Sequence, residues 1–225
     1  MENGSFERRT VEKYGEALYE VKKSRFIGYC SPVNTREEAE AFVDSIKKKH
    51  PDARHNVYAW ILKKETNLQK YSDDGEPSGT AGLPVMSVLT KNGLTDLAVV
   101  VTRYFGGILL GKGGLVRAYT KACNEAVKAA NPVTVRMCAI FETVTDYKNS
   151  ERIAFEIGNR GWNITDTIYG ADVTLVNHIP VEDEEKFKDF VFDISNGRIV
   201  PVKTGETEAV AGQFEFEEEN IKEDE

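Results

Sequence analysis

Apolar and polar positions in the first sixty residues follow two rhythms. Ala17-Leu-Tyr-Glu-Val21 and Phe26-Ile-Gly-Tyr-Cys30 flank the polar Lys22-Lys-Ser24 and predict a hairpin of two short strands. Thr35-Arg-Glu-Glu38 then forms a capping box, in which hydroxyl and carboxylate each satisfy a free backbone N–H. The helix it opens is expected to run to about Lys49, ahead of Pro51, with Ala39, Phe42, Val43 and Ile46 as its buried stripe. His55-Asn-Val-Tyr-Ala-Trp-Ile-Leu62, rich in aromatic and β-branched side chains, predicts a third strand.

Further along, Leu97-Ala-Val-Val-Val-Thr102 has no alternation, which suits a central strand covered on both faces. Before it lies a polar loop, Tyr71 to Gly82, and a short helix from Pro84 carrying Val85, Met86, Val88 and Leu89, stopped by Asn92-Gly93. After it, Phe105-Gly-Gly-Ile-Leu-Leu-Gly-Lys-Gly-Gly114 opens a helix with an apolar stripe through Leu115, Tyr119, Ala122 and Ala126. That helix is expected to end before Asn131-Pro132. The second half reads as strand 135–145, helix 147–160, strand 162–169, strand 171–179, helix 182–194 and strand 199–203. This β-α-β-β-α-β order is ferredoxin-like, so the fold class is α+β. Domains are expected at 1–131 and 132–205, with an acidic, flexible tail over 206–225.

Charge separates the halves. Through Ala130 there are 20 Lys+Arg against 16 Asp+Glu, a balance of +4; from Asn131 onward 9 face 21, or −12, giving the total of −8. No apolar run reaches the roughly 20 residues of a membrane span, and the start of the chain does not read as a signal peptide, so the expected location is cytoplasmic, with no membrane partner. Cys30, Cys123 and Cys138 have no Cys-x-x-Cys spacing and are expected as buried free thiols. His50, His55 and His178 have no metal-ligand spacing either, so neither a metal nor a cofactor is expected, and His50 reads as incidental.

Three constellations carry candidate chemistry. His55, Asp73, Asp74 and Glu76 form either a small-substrate site of hydrolase type or, in the plainer reading, an Asx-turn with a salt bridge to Arg103. Gly106-Gly-Ile-Leu-Leu-Gly-Lys112 nearly fits the phosphate-loop pattern, but Gly113 stands where a Mg²⁺-binding hydroxyl is needed. Simple anion binding by the helix start, or close packing of loop on helix, remain as alternatives. Arg103, Tyr104, Lys112, Arg117 and Lys121 beside Gly106, Gly107, Gly111 and Gly113 make a candidate surface for phosphates and bases. RNA or the ribosome is the partner this implies; a protein partner on the acidic half is the other.

Tyr71-Ser-Asp-Asp-Gly-Glu-Pro-Ser-Gly-Thr-Ala-Gly82, Val99-Val-Val-Thr-Arg-Tyr-Phe-Gly-Gly-Ile-Leu-Leu-Gly-Lys-Gly-Gly-Leu-Val-Arg-Ala-Tyr119 and Ala53-Arg-His-Asn56 resemble the IMPACT/YigZ family. The resemblance spans about residues 17–204. It implies an N-terminal domain of the ribosomal-protein-S5-domain-2-like type and the small ferredoxin-like C-terminal domain of bacterial members, similar in shape to one in translation elongation factors. It also implies a link to translation, since eukaryotic relatives regulate it through a further N-terminal domain that is not seen in this sequence. Family members often carry Cys two residues after the motif's His; Val57 stands there, so thiol chemistry is not expected at that point.

Overall fold

The computed structural model describes residues 7–63, 67–213, 216 and 217. Two compact units have their bodies at Arg8–Thr134 and Val135–Ala211. The first contains β2 (Gly15–Val21), β3 (Ser24–Pro32), α1 (Arg36–Lys49), β4 (His55–Leu62), β5 (Leu68–Ser72), α2 (Gly82–Lys91), β6 (Leu97–Tyr104) and α3 (Gly111–Ala129). β1 (Glu7–Val11) precedes them and is a sheet neighbour of β7 (Pro132–Thr145).

The sheet order β2-β3-β6-β4-β5 is antiparallel throughout and puts β6 at its centre. Val99 and Val101 pack with α2 and α3 on one face, Ala98 and Val100 with Val43 and Ile46 of α1 on the other. Helices on both faces explain why every residue of β6 up to Arg103 is buried. The capping box forms as expected: Glu38 N donates to Thr35 Oγ1 at 3.2 Å, and Asn34 N donates back to Glu38 Oε2 at 2.7 Å. Lys22 and Lys23 form a two-residue turn between β2 and β3 with φ of +45° and +63°.

The second unit contains β7, α4 (Tyr147–Asn159), β8 (Asn163–Tyr169), β9 (Val173–Pro180), α5 (Glu184–Ile194) and β10 (Val202–Gln213). β9 lies between β7 and β8, and β10 pairs with the other edge of β7. The order β10-β7-β9-β8 is that of a ferredoxin-like sheet, with Phe141, Leu175, Ile153, Ile157 and Phe187 at its core. The fold is therefore α+β, an S5-domain-2-like unit followed by a ferredoxin-like one.

Two expectations need correction. The last strand does not end at Lys203: residues 206–213, expected in a flexible tail, belong to β10. Lys203 offsets the local acids by holding Glu184 and Glu206 at 2.8 Å each, while Thr204, Thr207 and Val210 suit a strand. Residues 214, 215 and 218–225 of the expected tail lie outside the described residues. Also, Tyr71 and Ser72, expected in loop, end the edge strand β5. No helix among the described residues is long and apolar enough to cross a membrane.

Candidate functional site

Register across the central strands builds the site. Phe26 of β3 and His55 of β4 both stand opposite Arg103 of β6, so the three share a row on the face covered by α3. Arg103 is 8% exposed, and its Nη1 donates to Glu76 Oε1 at 2.6 Å. The hydroxyl of Tyr119 in α3 donates to the same oxygen at 2.8 Å. Burial and then the Glu76 charge push the Tyr119 phenol well above its ordinary value. The guanidinium lies 5.4 Å from the Phe26 ring and 5.6 Å from that of Phe105. The plainer reading of the acidic loop thus describes the Arg103 geometry: Glu76 ties the loop to β6.

The remaining acids are held by backbone amides and, in the case of Asp74, by Lys47 as well. Asp73 Oδ1 accepts from Ala81 N and Gly82 N at 3.0 and 2.8 Å, and its Oδ2 from Gly79 N, which fixes the entry to α2. Asp74 accepts from Asn56 N at 2.7 Å and from Lys47 Nζ at 3.2 Å. Of the four residues grouped by sequence, the structure leaves only His55 facing Glu76. His55 Nδ1 is 2.9 Å from the carbonyl oxygen of Asp74, which can only accept, so Nδ1 carries a proton. His55 Nε2 then points to Glu76 Oε1 at 4.0 Å. Among the described residues, no group of three His, Cys, Asp or Glu side chains is placed to hold a metal ion.

Tyr104 turns to the opposite face, where its hydroxyl meets His50 Nδ1 at 2.9 Å; His50 Nε2 meets the Tyr29 hydroxyl at 2.5 Å. His50, incidental by its sequence context, therefore bridges two tyrosines across α1 and the sheet. Burial, and then the neighbouring Lys49 charge, hold the His50 imidazole below its ordinary value.

The glycine loop forms the end of the unit. A Cβ on Gly106 would fall 2.0 Å from the carbonyl carbon of Lys23, so only glycine admits this approach of the loop to the β2–β3 turn. Gly106 N also donates to Ser24 Oγ at 3.1 Å. Gly107, Gly111, Lys112 and Gly113 are exposed, as are Lys22 and Lys23. No side chain caps the start of α3, and its first turn has no acid. Arg117 reaches back along the helix, its Nη1 lying 3.8 Å from where a Gly113 Cβ would stand. Lys121 pairs with Glu125 at 2.9 Å. Phe105, Ile108 and Leu109 stand out from the same loop, Leu109 at 82% exposure. Close packing and an open helix start are thus both present: Gly106 serves the first, Gly111 to Gly113 the second.

Sequence reasoning missed Lys22, Lys23 and Tyr119 as parts of these sites. The short polar Lys22-Lys-Ser24 stretch between two strands was a usable signal for the lysines, since tight hairpin turns demand positive φ and normally take Asn-Gly.

Residues 22–127 match the Impact N-terminal domain, and residues 144–198 match a domain of unknown function, DUF1949. The chain is 38% identical over 197 residues to the IMPACT family member YvyE of Bacillus subtilis, covering 88% of this chain and 90% of the relative. It is 36% identical over 182 residues to the IMPACT family member YigZ of Escherichia coli, covering 80% and 89%. A solved structure titled "Crystal structure of an hypothetical protein" aligns with a TM-score of 0.55 at 33% identity, over 88% of this chain and 97% of that one. With that degree of identity over nearly the whole length of both bacterial relatives, the chain belongs to the IMPACT family.

Proposed function

We propose that this chain is a regulatory protein that touches a phosphate-bearing partner, RNA or the ribosome, through the end of its first unit where the glycine loop, the start of α3 and the Lys22-Lys23 turn meet. The observation that carries this reading is the turn itself. Two consecutive lysines hold left-handed backbone, at φ +45° and +63°, where Asn-Gly would be unstrained. Strain of this kind, of order 1–3 kcal/mol per residue, collects where function selects the side chain. Here it places two exposed lysines on the turn against which Gly106 packs, in contact with the loop that carries the exposed Phe105 ring and leads into the exposed first residues of α3. Amides at a helix start attract phosphate, and an exposed ring stacks on an unpaired base. Arg103 and Tyr104 take no part in this surface, since Glu76 and His50 hold them. Gly107, Gly111, Lys112, Gly113 and Arg117 stay in it.

The test replaces Lys22-Lys23 by Asn-Gly and titrates labelled single-stranded RNA, or ribosomes, against both proteins over a range of salt. The variant is expected to melt at a higher temperature and to bind at least tenfold more weakly. Its plot of log K against log salt is expected to be shallower by about 0.7 for each phosphate the variant no longer neutralises. A variant that melts higher yet binds as tightly at every salt concentration overturns the reading.

The fixed His55 tautomer favours a second reading, hydrolase-type chemistry with Nε2 as base. Turnover of p-nitrophenyl acetate or p-nitrophenyl phosphate by the wild type, abolished in His55→Gln, is its expected signature. Equal rates for the two proteins remove it.

A further inference from the structure

The ferredoxin-like unit contains a cleft of about 320 Å³ at the end of its helix layer, between the start of α4 and the segment leaving α5. Ile153, Ile194 and Ile199 supply the apolar part of a mainly polar lining, and the exposed Arg152, Arg198 and Asp172 supply its charges. Among the described residues, none of these three charged groups has an ion-pair or hydrogen-bond partner for its side chain. The rim's other acid, Asp146, caps α4, and both its oxygens accept from Asn149, but it keeps its charge and adds to the negative side of the rim with Asp172. Thr145 also lines the cleft, is 4% exposed, and has a hydroxyl with no hydrogen-bond partner. A buried hydroxyl without a partner is costly, so a ligand group that reaches it through a small shift of the lining recovers free energy the fold has given up.

We infer that this cleft binds a small zwitterion with an apolar body, of the α-amino-acid class. A simple anion would be attracted by Arg152 and Arg198 but repelled by Asp172, and a simple cation the reverse. A ligand with both groups satisfies both signs: its carboxylate faces the arginines, its ammonium faces Asp172, and its aliphatic or aromatic side chain covers the isoleucines. The volume lies at the small end of ligand pockets, which suits a molecule of this size. The site lies in a different unit from the proposed phosphate-binding surface, so neither reading stands or falls with the other.

The experiment adds leucine and phenylalanine in turn to the ¹⁵N-labelled full chain and follows amide shifts. Saturable shifts are expected at residues 145–153, 172 and 194–199 for at least one of the two. Isovalerate, which lacks the ammonium, and isoamylamine, which lacks the carboxylate, are expected to bind at least tenfold more weakly. Arg152→Gln with Arg198→Gln, and separately Asp172→Asn, are expected to weaken the amino acid by a similar factor. Thr145→Val, which keeps the shape, is expected to weaken it severalfold while leaving the spectrum that of a folded protein. Absence of saturable shifts with both amino acids overturns the proposal, and so does isovalerate binding as tightly as leucine.

Discussion

Glu76 Oε1 accepts from both Arg103 and Tyr119, and all three side chains are buried. Removing the acid would leave the guanidinium charged, desolvated and unpaired, with an Nε that already has no partner. Glu76→Gln is therefore expected to destabilise the first unit by about 3–5 kcal/mol. Tyr119→Phe, which takes away one hydrogen bond to a charged group, is expected to cost about 1.5–3 kcal/mol. Urea unfolding followed by Trp60 fluorescence ranks the two, and a Tyr119→Phe effect larger than that of Glu76→Gln would contradict the pairing. On the other face, His50 makes a prediction about pH. Its folded value is held below the ordinary value of about 6.5 by burial and then by the Lys49 charge, so the unfolded chain takes up the proton first. Its contribution is then whole above the unfolded value and is lost as pH falls through it toward the lowered folded value. Glu16 acts in a separate window. Burial would raise it, but hydrogen bonds from Lys49 and Tyr14 prevail and lower it, so its contribution is lost only as pH falls below the ordinary carboxylate range. Thermal melts of the wild type and His50→Gln should converge as pH falls from about 7 to 5.5, and parallel curves would remove His50 as the cause.

The seat of α3 on the sheet decides where its start, and hence the loop, is held. A Cβ on Gly28 of β3 would lie 2.5 Å from the Ala122 carbonyl oxygen and 2.9 Å from the Ala126 Cβ, so the helix backbone itself would have to move. Gly28→Ala is expected to cost about 1–3 kcal/mol, as overpacking does. Gly158→Ala in α4, where nothing lies within 4 Å of the new methyl, is expected to gain about 0.4–1 kcal/mol. Calorimetry on the two variants checks both signs. The same elements separate what is local from what is not. The both-faces burial of β6, the capping box at Thr35 and the stop at Asn92-Gly93 are local signals, and the folded chain obeys them. β5 is hidden in the sequence because it is an exposed edge whose Leu-Gln-Lys-Tyr-Ser run has no buried face to impose alternation. β10 is hidden because its acids look like a solvated run, whereas its support comes from pairing with β7, some sixty residues away. At the site, the Glu76–Arg103 bond is open to sequence as one of two readings. The tautomer of His55 and the pairing of His50 with two tyrosines depend on contacts that no spacing encodes.

At the scale of the whole chain, three thiols report on two cores. Cys30 and Cys123 are fully buried in the first unit, in one cluster with Val85, Val99 and Ala126, while Cys138 is buried in the second. Burial, reinforced for Cys30 by its neighbour Cys123, pushes the Cys30 and Cys123 thiols far up; burial raises Cys138 as well. A thiolate is the reactive form, so all three should resist labelling in the native protein at about pH 8 and react only after opening. The ferredoxin-like core is built from one cluster around Phe141 and Phe187, whereas the first unit has a cluster on each face of its sheet. Less buried apolar surface means a smaller margin over chain entropy. Pulsed thiol labelling along a urea series, resolved by peptide mass spectrometry, is therefore expected to modify Cys138 at lower urea than Cys30 and Cys123, with the latter two reacting together. Coincident labelling of all three would mean that the chain unfolds as one cooperative body. Labelling of Cys123 at lower urea than Cys30 would mean that α3 leaves the sheet while β3 stays protected, which a single cluster holding both thiols does not allow.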